Sequence, residues 1–174
     1  ERLWLTTSLR GIAAGTLSVE VLTEGVHSGD ASGVVPSSFR IARKLLDRLE
    51  DSVSGRILPA AFHAPIPVER VAQARAASGI LGETMVKRFP WSGRTRPMVD
   101  EQVDVVLNRT WRPALSITGA DGLPPIANAG NVLRPATKLK LSLRQLNDKI
   151  EEAKRKKNIL VARFANTIFE PVWN

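Results

Sequence analysis

Residues 16–30 read TLSVEVLTEGVHSGD, an alternating stretch that runs directly into a Gly/Ser turn. Leu17, Val19 and Val21 share one face of an extended chain, and the residues between them share the other, which predicts a half-buried strand over 16–23 by its period-2 pattern. The turn places His27 where the chain leaves this strand. Because loops held by a rigid scaffold often carry function, His27 is the first candidate functional residue.

The remaining elements follow from the same periodicities. Pro36-Ser37-Ser38 predicts the start of a helix that runs to about Asp51, because serine oxygens accept the free N–H groups of a first turn. The other predicted elements are helices at 68–87 and 99–109, strands at 114–118 and 138–144, a helix from 146 to about 164, and an edge strand at 167–173. In the strand at 114–118, the alternation predicts Leu115 and Ile117 on the buried face.

The order strand, helix, strand, strand, helix, strand predicts an α+β fold. We expect a four-stranded antiparallel sheet with helices on one face, the split βαβ or ferredoxin-like arrangement. A helical insertion at about 60–110 separates the first helix from the second strand. The 174 residues can bury a core as one domain, or as a small domain with an appendage.

Composition restricts the function classes. The chain has no cysteine, which excludes disulfides and thiolate metal sites, and no apolar run approaches the roughly 18 residues needed to cross a bilayer. We therefore expect a soluble, cytoplasmic protein that does not bind membranes. The net charge of +8 suggests nucleic-acid binding as one hypothesis. Its basic residues are scattered, however, except for the cluster at 154–157, which glutamates at 151 and 152 pair with at helical spacing and which we interpret as a solvated helix face rather than a phosphate-binding patch. The central predicted strands also lack the aromatic side chains that stack bases, so nucleic-acid binding is the weakest hypothesis.

Several short motifs together carry a family resemblance. They are LRG at 9–11, VEV at 19–21, GVHSG at 25–29, VVP at 34–36, LLDRL at 45–49, WRPALSITG at 111–119, NVLRP at 131–135 and KLSLR at 140–144. This set resembles the lid of the zinc-dependent metallopeptidases that include carnosinase, cytosolic non-specific dipeptidase, and acetylornithine and succinyl-diaminopimelate deacetylases. The resemblance is to the dipeptidase branch above all. It covers residues from about 3 to 144 and is weaker over the helix and edge strand at 145–173.

The resemblance implies that residues 1–174 form a single lid and dimerisation domain. A dinuclear zinc hydrolase needs several histidine and carboxylate ligands, and this chain has two histidines and no ligand cluster in its sequence. In the family the ligands lie in a separate catalytic domain that flanks the lid. We therefore expect no cofactor in this segment, zinc in the intact parent enzyme, and a peptide or N-acyl amino acid as substrate.

The resemblance also assigns a role to His27. In dimeric members of the family, the histidine of this turn reaches across the homodimer and hydrogen-bonds the scissile carbonyl, which stabilises the oxyanion formed when zinc-bound hydroxide attacks. Without the motif, a lone loop histidine is more often a backbone cap or simply solvated. Asp30 and Glu24 flank His27, and we interpret them as turn and helix-entry residues rather than as groups that orient the ring.

Two substrate-binding residues follow from the same resemblance. Arg144 ends a strand on its polar face, and the resemblance assigns it to the substrate's terminal carboxylate, which a planar guanidinium can hold through two parallel hydrogen bonds. An ion pair with Asp148 is the alternative. Asn131 stands where the dipeptidase branch has a threonine that touches substrate, so only a hydrogen-bonding side chain carries over. His63 matches no functional position, and we expect a structural role for it.

Two functions from different classes remain open. The first is the lid of a dipeptidase-like amide hydrolase, which supplies His27, Arg144 and Asn131 across a dimer. The second is a non-catalytic self-association module. In either case we expect the isolated chain to fold without metal, to bind no stoichiometric zinc and to hydrolyse no dipeptide, because its core is apolar and its sequence lacks the ligands.

Overall fold

The structure is a computed structural model and describes residues 10–146 and 167–172. The strands are β1 (Arg10–Glu20), β2 (Val26–His27), β3 (Ala114–Asp121), β4 (Val132–Leu133), β5 (Ala136–Leu146) and β6 (Thr167–Val172). The α-helices are α1 (Ser28–Ala31), α2 (Ser38–Leu46), α3 (Val68–Leu81), α4 (Thr84–Lys87) and α5 (Gln102–Thr110). Short 3-10 turns lie at Ala60–Phe62 and Ile126–Asn128.

The long strands form a four-stranded sheet in the order β3-β5-β1-β6, in which neighbouring strands are antiparallel. A second, two-stranded pairing joins β2 to β4. The predicted α+β class with an antiparallel sheet is confirmed. Leu146, expected to begin a helix, is instead the last residue of β5, and residues 147–166 lie outside the described residues. The ferredoxin-like arrangement therefore stays a prediction.

The core lies between α2 and the two central strands. It consists of buried apolar residues from these three elements: Leu17, Val19, Ala42, Leu45, Leu46, Leu139 and Leu141. Ile41, Leu45 and Leu49, whose spacing predicts the apolar stripe of this helix, lie at this core as expected, since Leu45 belongs to the cluster and the other two pack against it. Helix α2 begins where predicted, with the Ser37 hydroxyl accepting a hydrogen bond from the Arg40 N–H, but it ends at Leu46 rather than near Asp51.

One buried polar contact ties the helix to the sheet. The hydroxyls of Ser38 and Thr137 lie 2.9 Å apart, and the two residues are 2% and 0% exposed. A buried hydroxyl without a partner costs free energy, so each of these two groups satisfies the other. This contact fixes the register of α2 over β5.

The opposite face of the sheet is polar, as the alternation predicts. Lys138, Lys140 and Arg144 of β5 are exposed, and the Lys138 Nζ lies 3.6 Å from a Glu20 carboxylate oxygen. These residues alternate with the buried Leu139 and Leu141 of the same strand. Charged side chains therefore line this face from one end of β5 to the other.

Three details differ from the sequence-based expectations. Strand β1 ends at Glu20 rather than Thr23, because the next two N–H groups both turn to the Pro135 carbonyl. Ile117 is 46% exposed rather than buried, since β3 is an edge strand with a register shift just after this residue. The helix expected over 68–87 breaks at Gly82, whose φ of 52° ends α3.

None of the helices found in the described ranges combines the length and apolarity needed to cross a membrane.

Candidate functional site

His27 lies at the junction of β2 and α1, where it caps the helix. Its Nδ1 accepts a hydrogen bond from the Gly29 N–H at 3.2 Å, and its side chain is 64% exposed. A neutral imidazole has one acceptor nitrogen and one donor nitrogen. Because Nδ1 acts as the acceptor here, Nε2 carries the proton and is the donor. The capping bond therefore favours the tautomer in which Nε2–H can donate to a group outside the loop.

The acidic neighbours of His27 do not orient its ring. The Asp30 Oδ2 lies 4.0 Å from Nδ1, which is beyond hydrogen-bonding distance, and the Asp30 side chain is 93% exposed. Asp30 stands in the first turn of α1 and Glu24 is exposed in the preceding turn. Both positions fit the interpretation of these residues as turn and helix-entry residues.

Two glycines allow this loop to fold so tightly. A Cβ at Gly29 would lie 2.9 Å from His27 Cε1 and 3.0 Å from Nδ1. A Cβ at Gly25 would lie 2.7 Å from Val132 Cγ1 on β4. All three distances are at or below the closest approach that a Cβ makes to another heavy atom. Glycine at 29 therefore gives the imidazole the space it occupies.

The structure brings Asn131 next to His27. The Ser28 N–H donates to the Asn131 carbonyl at 2.9 Å, and His27 pairs with Val132 in the β2–β4 ladder. Asn131 is exposed, like His27. Two of the predicted site residues thus lie side by side, His27 at the end of β2 and Asn131 just before β4.

Arg144 lies at the opposite end of the sheet. The β1–β5 register places Glu20 opposite Ala136 and Ile12 opposite Arg144. At roughly 3.3 Å per residue, the eight steps from 136 to 144 span about 26 Å. The His27 turn follows the Glu20 end of β1, so Arg144 does not share a site with His27 and Asn131 of the same copy.

Arg144 has cationic neighbours that the sequence did not single out. Burial, followed by the positive charges of Arg144 and Arg109, lowers the pKa of Arg10. Arg10 Nη1 donates to the Arg112 carbonyl at 3.0 Å. Within the described ranges, no hydrogen bond or ion pair engages the Arg144 side chain, and the alternative partner Asp148 lies outside those ranges. No spacing rule points to Arg10 and Arg109, because Arg10 comes near Arg144 through the β1–β5 register and Arg109 through the position of α5 just before β3.

His63 makes the kind of contact expected of a structural residue. Its Nε2 lies 2.6 Å from the Ile57 carbonyl oxygen, and the residue is half-buried. Ile57 is 1% exposed, so the contact anchors the connection after α2 to a buried point. In the part of the chain that the structure describes, three or more histidine, cysteine or carboxylate groups nowhere gather in a way that could hold a metal ion.

Solved structures with the same fold include three peptidases. Di-peptidase Dug1p from Saccharomyces cerevisiae matches 97% of this chain at 22% identity, with a TM-score of 0.64. Human carnosine dipeptidase 1 matches 99% at 19% identity, with a TM-score of 0.63. The M20 family metallo-carboxypeptidase Sso-CP2 from Sulfolobus solfataricus matches 95% at 16% identity, with a TM-score of 0.63. The chain has the fold of a segment of these enzymes.

Nearly all of this chain matches, but it matches only part of each peptidase. This chain covers 36% of the yeast dipeptidase and 39% of each of the other two. The resemblance to dipeptidases of this kind, which the sequence motifs indicate, is confirmed at the level of the fold. No protein-family model and no curated protein matches the sequence itself.

Proposed function

We propose that this chain is the lid and dimerisation domain of a zinc metallopeptidase, a dipeptidase-like amide hydrolase whose metal site lies in a catalytic domain outside residues 1–174. The fold supports this proposal, since nearly the whole chain matches little more than a third of each peptidase. The proposal includes the ferredoxin-like arrangement, for which the order β3-β5-β1-β6 is the support. It also includes a cytoplasmic location and a peptide or N-acyl amino acid substrate.

His27 is the residue that we propose acts on the reacting group. When an amide carbon is attacked, its oxygen gains negative charge, and a donor aimed at that oxygen stabilises the transition state. The observation that carries the proposal is the capping bond from Gly29 to Nδ1, which leaves the exposed Nε2–H as the donor. The His27 side chain needs no rearrangement before it can donate.

The proposed site takes its residues from two copies of the chain. A dipeptide is only a few ångströms long between its scissile carbonyl and its terminal carboxylate, since a fully extended residue spans about 3.5 Å. It cannot bridge the two ends of one sheet. In the proposed homodimer, His27 and Asn131 of one copy therefore reach the active site that Arg144 of the other copy serves.

Replacement of His27 tests this mechanism in the intact enzyme. We expect His27→Ala to lower kcat by about 10²-fold or more, the usual cost of losing an oxyanion donor. His63→Asn is the control. Because His63 contacts the Ile57 carbonyl, this substitution should change the melting temperature but not kcat. An unchanged kcat in His27→Ala would remove His27 from the mechanism.

A further inference from the structure

Three arginines lie near one another at the end of the sheet opposite His27. Arg144 faces Ile12 across the β1–β5 pair, and Arg10 faces Leu146 one step along the same face. Arg10 and Arg144 are therefore diagonal neighbours, a relation that places such residues about 7–8 Å apart. Long side chains at this separation reach the same bound group. We call Arg10, Arg109 and Arg144 the arginine cluster.

Arg109 joins the cluster from the helical insertion. It is exposed in the last turn of α5, five residues before Ala114, and Ala114 pairs with Arg144 at the start of β3. The hydrogen bond from Arg10 Nη1 to the Arg112 carbonyl, at 3.0 Å, ties this turn to β1. The charge of Arg109 is close enough to lower the pKa of Arg10, after burial and the charge of Arg144.

The positive charge of the cluster is not balanced within residues 10–146 and 167–172. Arg112, which lies next to the cluster, has its own partner, since its Nη2 is 2.8 Å from Asp104 Oδ1. No described carboxylate pairs with a cluster arginine in the same way. Like charges held close together raise the free energy of the folded chain, and a bound anion relieves that repulsion.

We propose that the arginine cluster binds a ligand with two carboxylates, which makes Arg10 and Arg109 specificity-determining residues. One guanidinium is sufficient for a terminal carboxylate, because its fork forms two parallel hydrogen bonds. The other two arginines then select a second carboxylate. If the chain belongs to an amide hydrolase, as proposed above, the substrate carries an acidic residue at its C-terminal side. This consequence rests on that proposed function.

Binding to the 174-residue chain tests the subsite without any need for turnover. Titration by calorimetry at low salt would compare N-acetylglutamate, which has two carboxylates, with N-acetylglutamine, which has one. We expect N-acetylglutamate to bind about tenfold more tightly, and this difference to shrink at high salt as the charges are screened. Equal affinities, or no binding of either compound, would overturn the proposal.

Two variants separate the cluster from general positive charge. Arg109→Gln should remove the preference for N-acetylglutamate and leave the melting temperature near that of the wild type. Lys140→Gln is the matched control, because Lys140 is an exposed cation on the same face of β5, four residues from Arg144, and its loss should change nothing. Equal effects of the two variants would overturn the site, and inorganic phosphate that binds as tightly as N-acetylglutamate would overturn its assignment to dicarboxylates.

Turnover by the intact enzyme separates this inference from the function on which it rests. Under the proposal, kcat/KM is higher for a dipeptide that ends in glutamate than for the same dipeptide that ends in glutamine. Hydrolysis without that preference would overturn the inference and leave the proposed function standing. Selective dicarboxylate binding by a protein that hydrolyses neither peptide would support the subsite and overturn the proposed function.

Discussion

At the scale of single residues, the position of the His27 ring depends on the absence of a side chain at Gly29. A Cβ there would lie 2.9 Å from His27 Cε1, and the ring would move away from it because the side chain is exposed. We expect Gly29→Ala to break the capping bond and to lower kcat of the intact enzyme without lowering its melting temperature. Nitrogen-15 spectra of the imidazole should show a loss of the single Nε2–H tautomer.

Gly130→Ala is the matched control for that substitution. Gly130 lies beside Asn131, its φ is not positive, and a Cβ on it would meet no atom within 4 Å. Turnover and the imidazole spectrum should both stay at their wild-type values. If Gly29→Ala also left the tautomer unchanged, the capping bond would not be what orients His27.

Glu50 provides a second test at this scale, through pH. Burial, followed by the negative charge of Asp47, raises the pKa of Glu50 above its ordinary value. The protonated form is thus favoured in the folded chain, and its contribution to stability is full at acid pH and is lost as the pH rises through the raised pKa. Glu50→Gln should therefore raise the melting temperature near neutral pH and have little effect at acid pH. An equal change in the melting temperature at acid and at neutral pH would show that the charge of Glu50 is not the cause.

At the scale of elements, the end of α3 depends on one backbone conformation. Gly82 has φ 52° and ψ −144°, a region that residues with a Cβ rarely adopt, although a Cβ would meet no atom within 4 Å. We expect Gly82→Ala to lower the free energy of unfolding by about 1–3 kcal/mol, the usual cost of such a conformation. Gly79→Ala, inside α3 and equally unobstructed, should instead raise it by about 0.5–1 kcal/mol. Denaturant unfolding of both variants measures the difference, and destabilisation by both would show that strain at Gly82 is not the cause.

At the scale of the whole molecule, the separation of His27 from Arg144 predicts complementation between two inactive variants. In a two-fold dimer of His27→Ala with Arg144→Gln, one active site has both residues intact and the other has neither. Random exchange of subunits should therefore restore about a quarter of the wild-type turnover. Light scattering on the isolated chain checks the association itself. If subunit exchange is shown to occur and turnover does not recover, the two residues do not serve one site from different copies.

The sequence by itself determined the class of the fold and the positions of elements that depend on neighbouring residues. Alternation at Leu17 and Val19 predicted a strand, and serine at position 37 predicted the start of α2, because these features act through neighbours only a few residues away. The GVHSG motif predicted a turn at His27 for the same reason, although pairing with β4 makes Val26 and His27 a two-residue strand there. Where a single residue decided the local geometry against its surroundings, as at Gly82, the pattern predicted a continuous helix and was wrong.

Only the tertiary structure decided which residues share a site. Asn131 lies beside His27, and Arg10 beside Arg144, because antiparallel pairing joins segments more than a hundred residues apart. The exposure of Ile117 likewise follows from the place of β3 at the edge of the sheet. Strand order and register are set by the packing of the whole core, which no local spacing encodes. The distance between the two ends of β5, and with it the proposed need for two copies, is therefore a property of the fold alone.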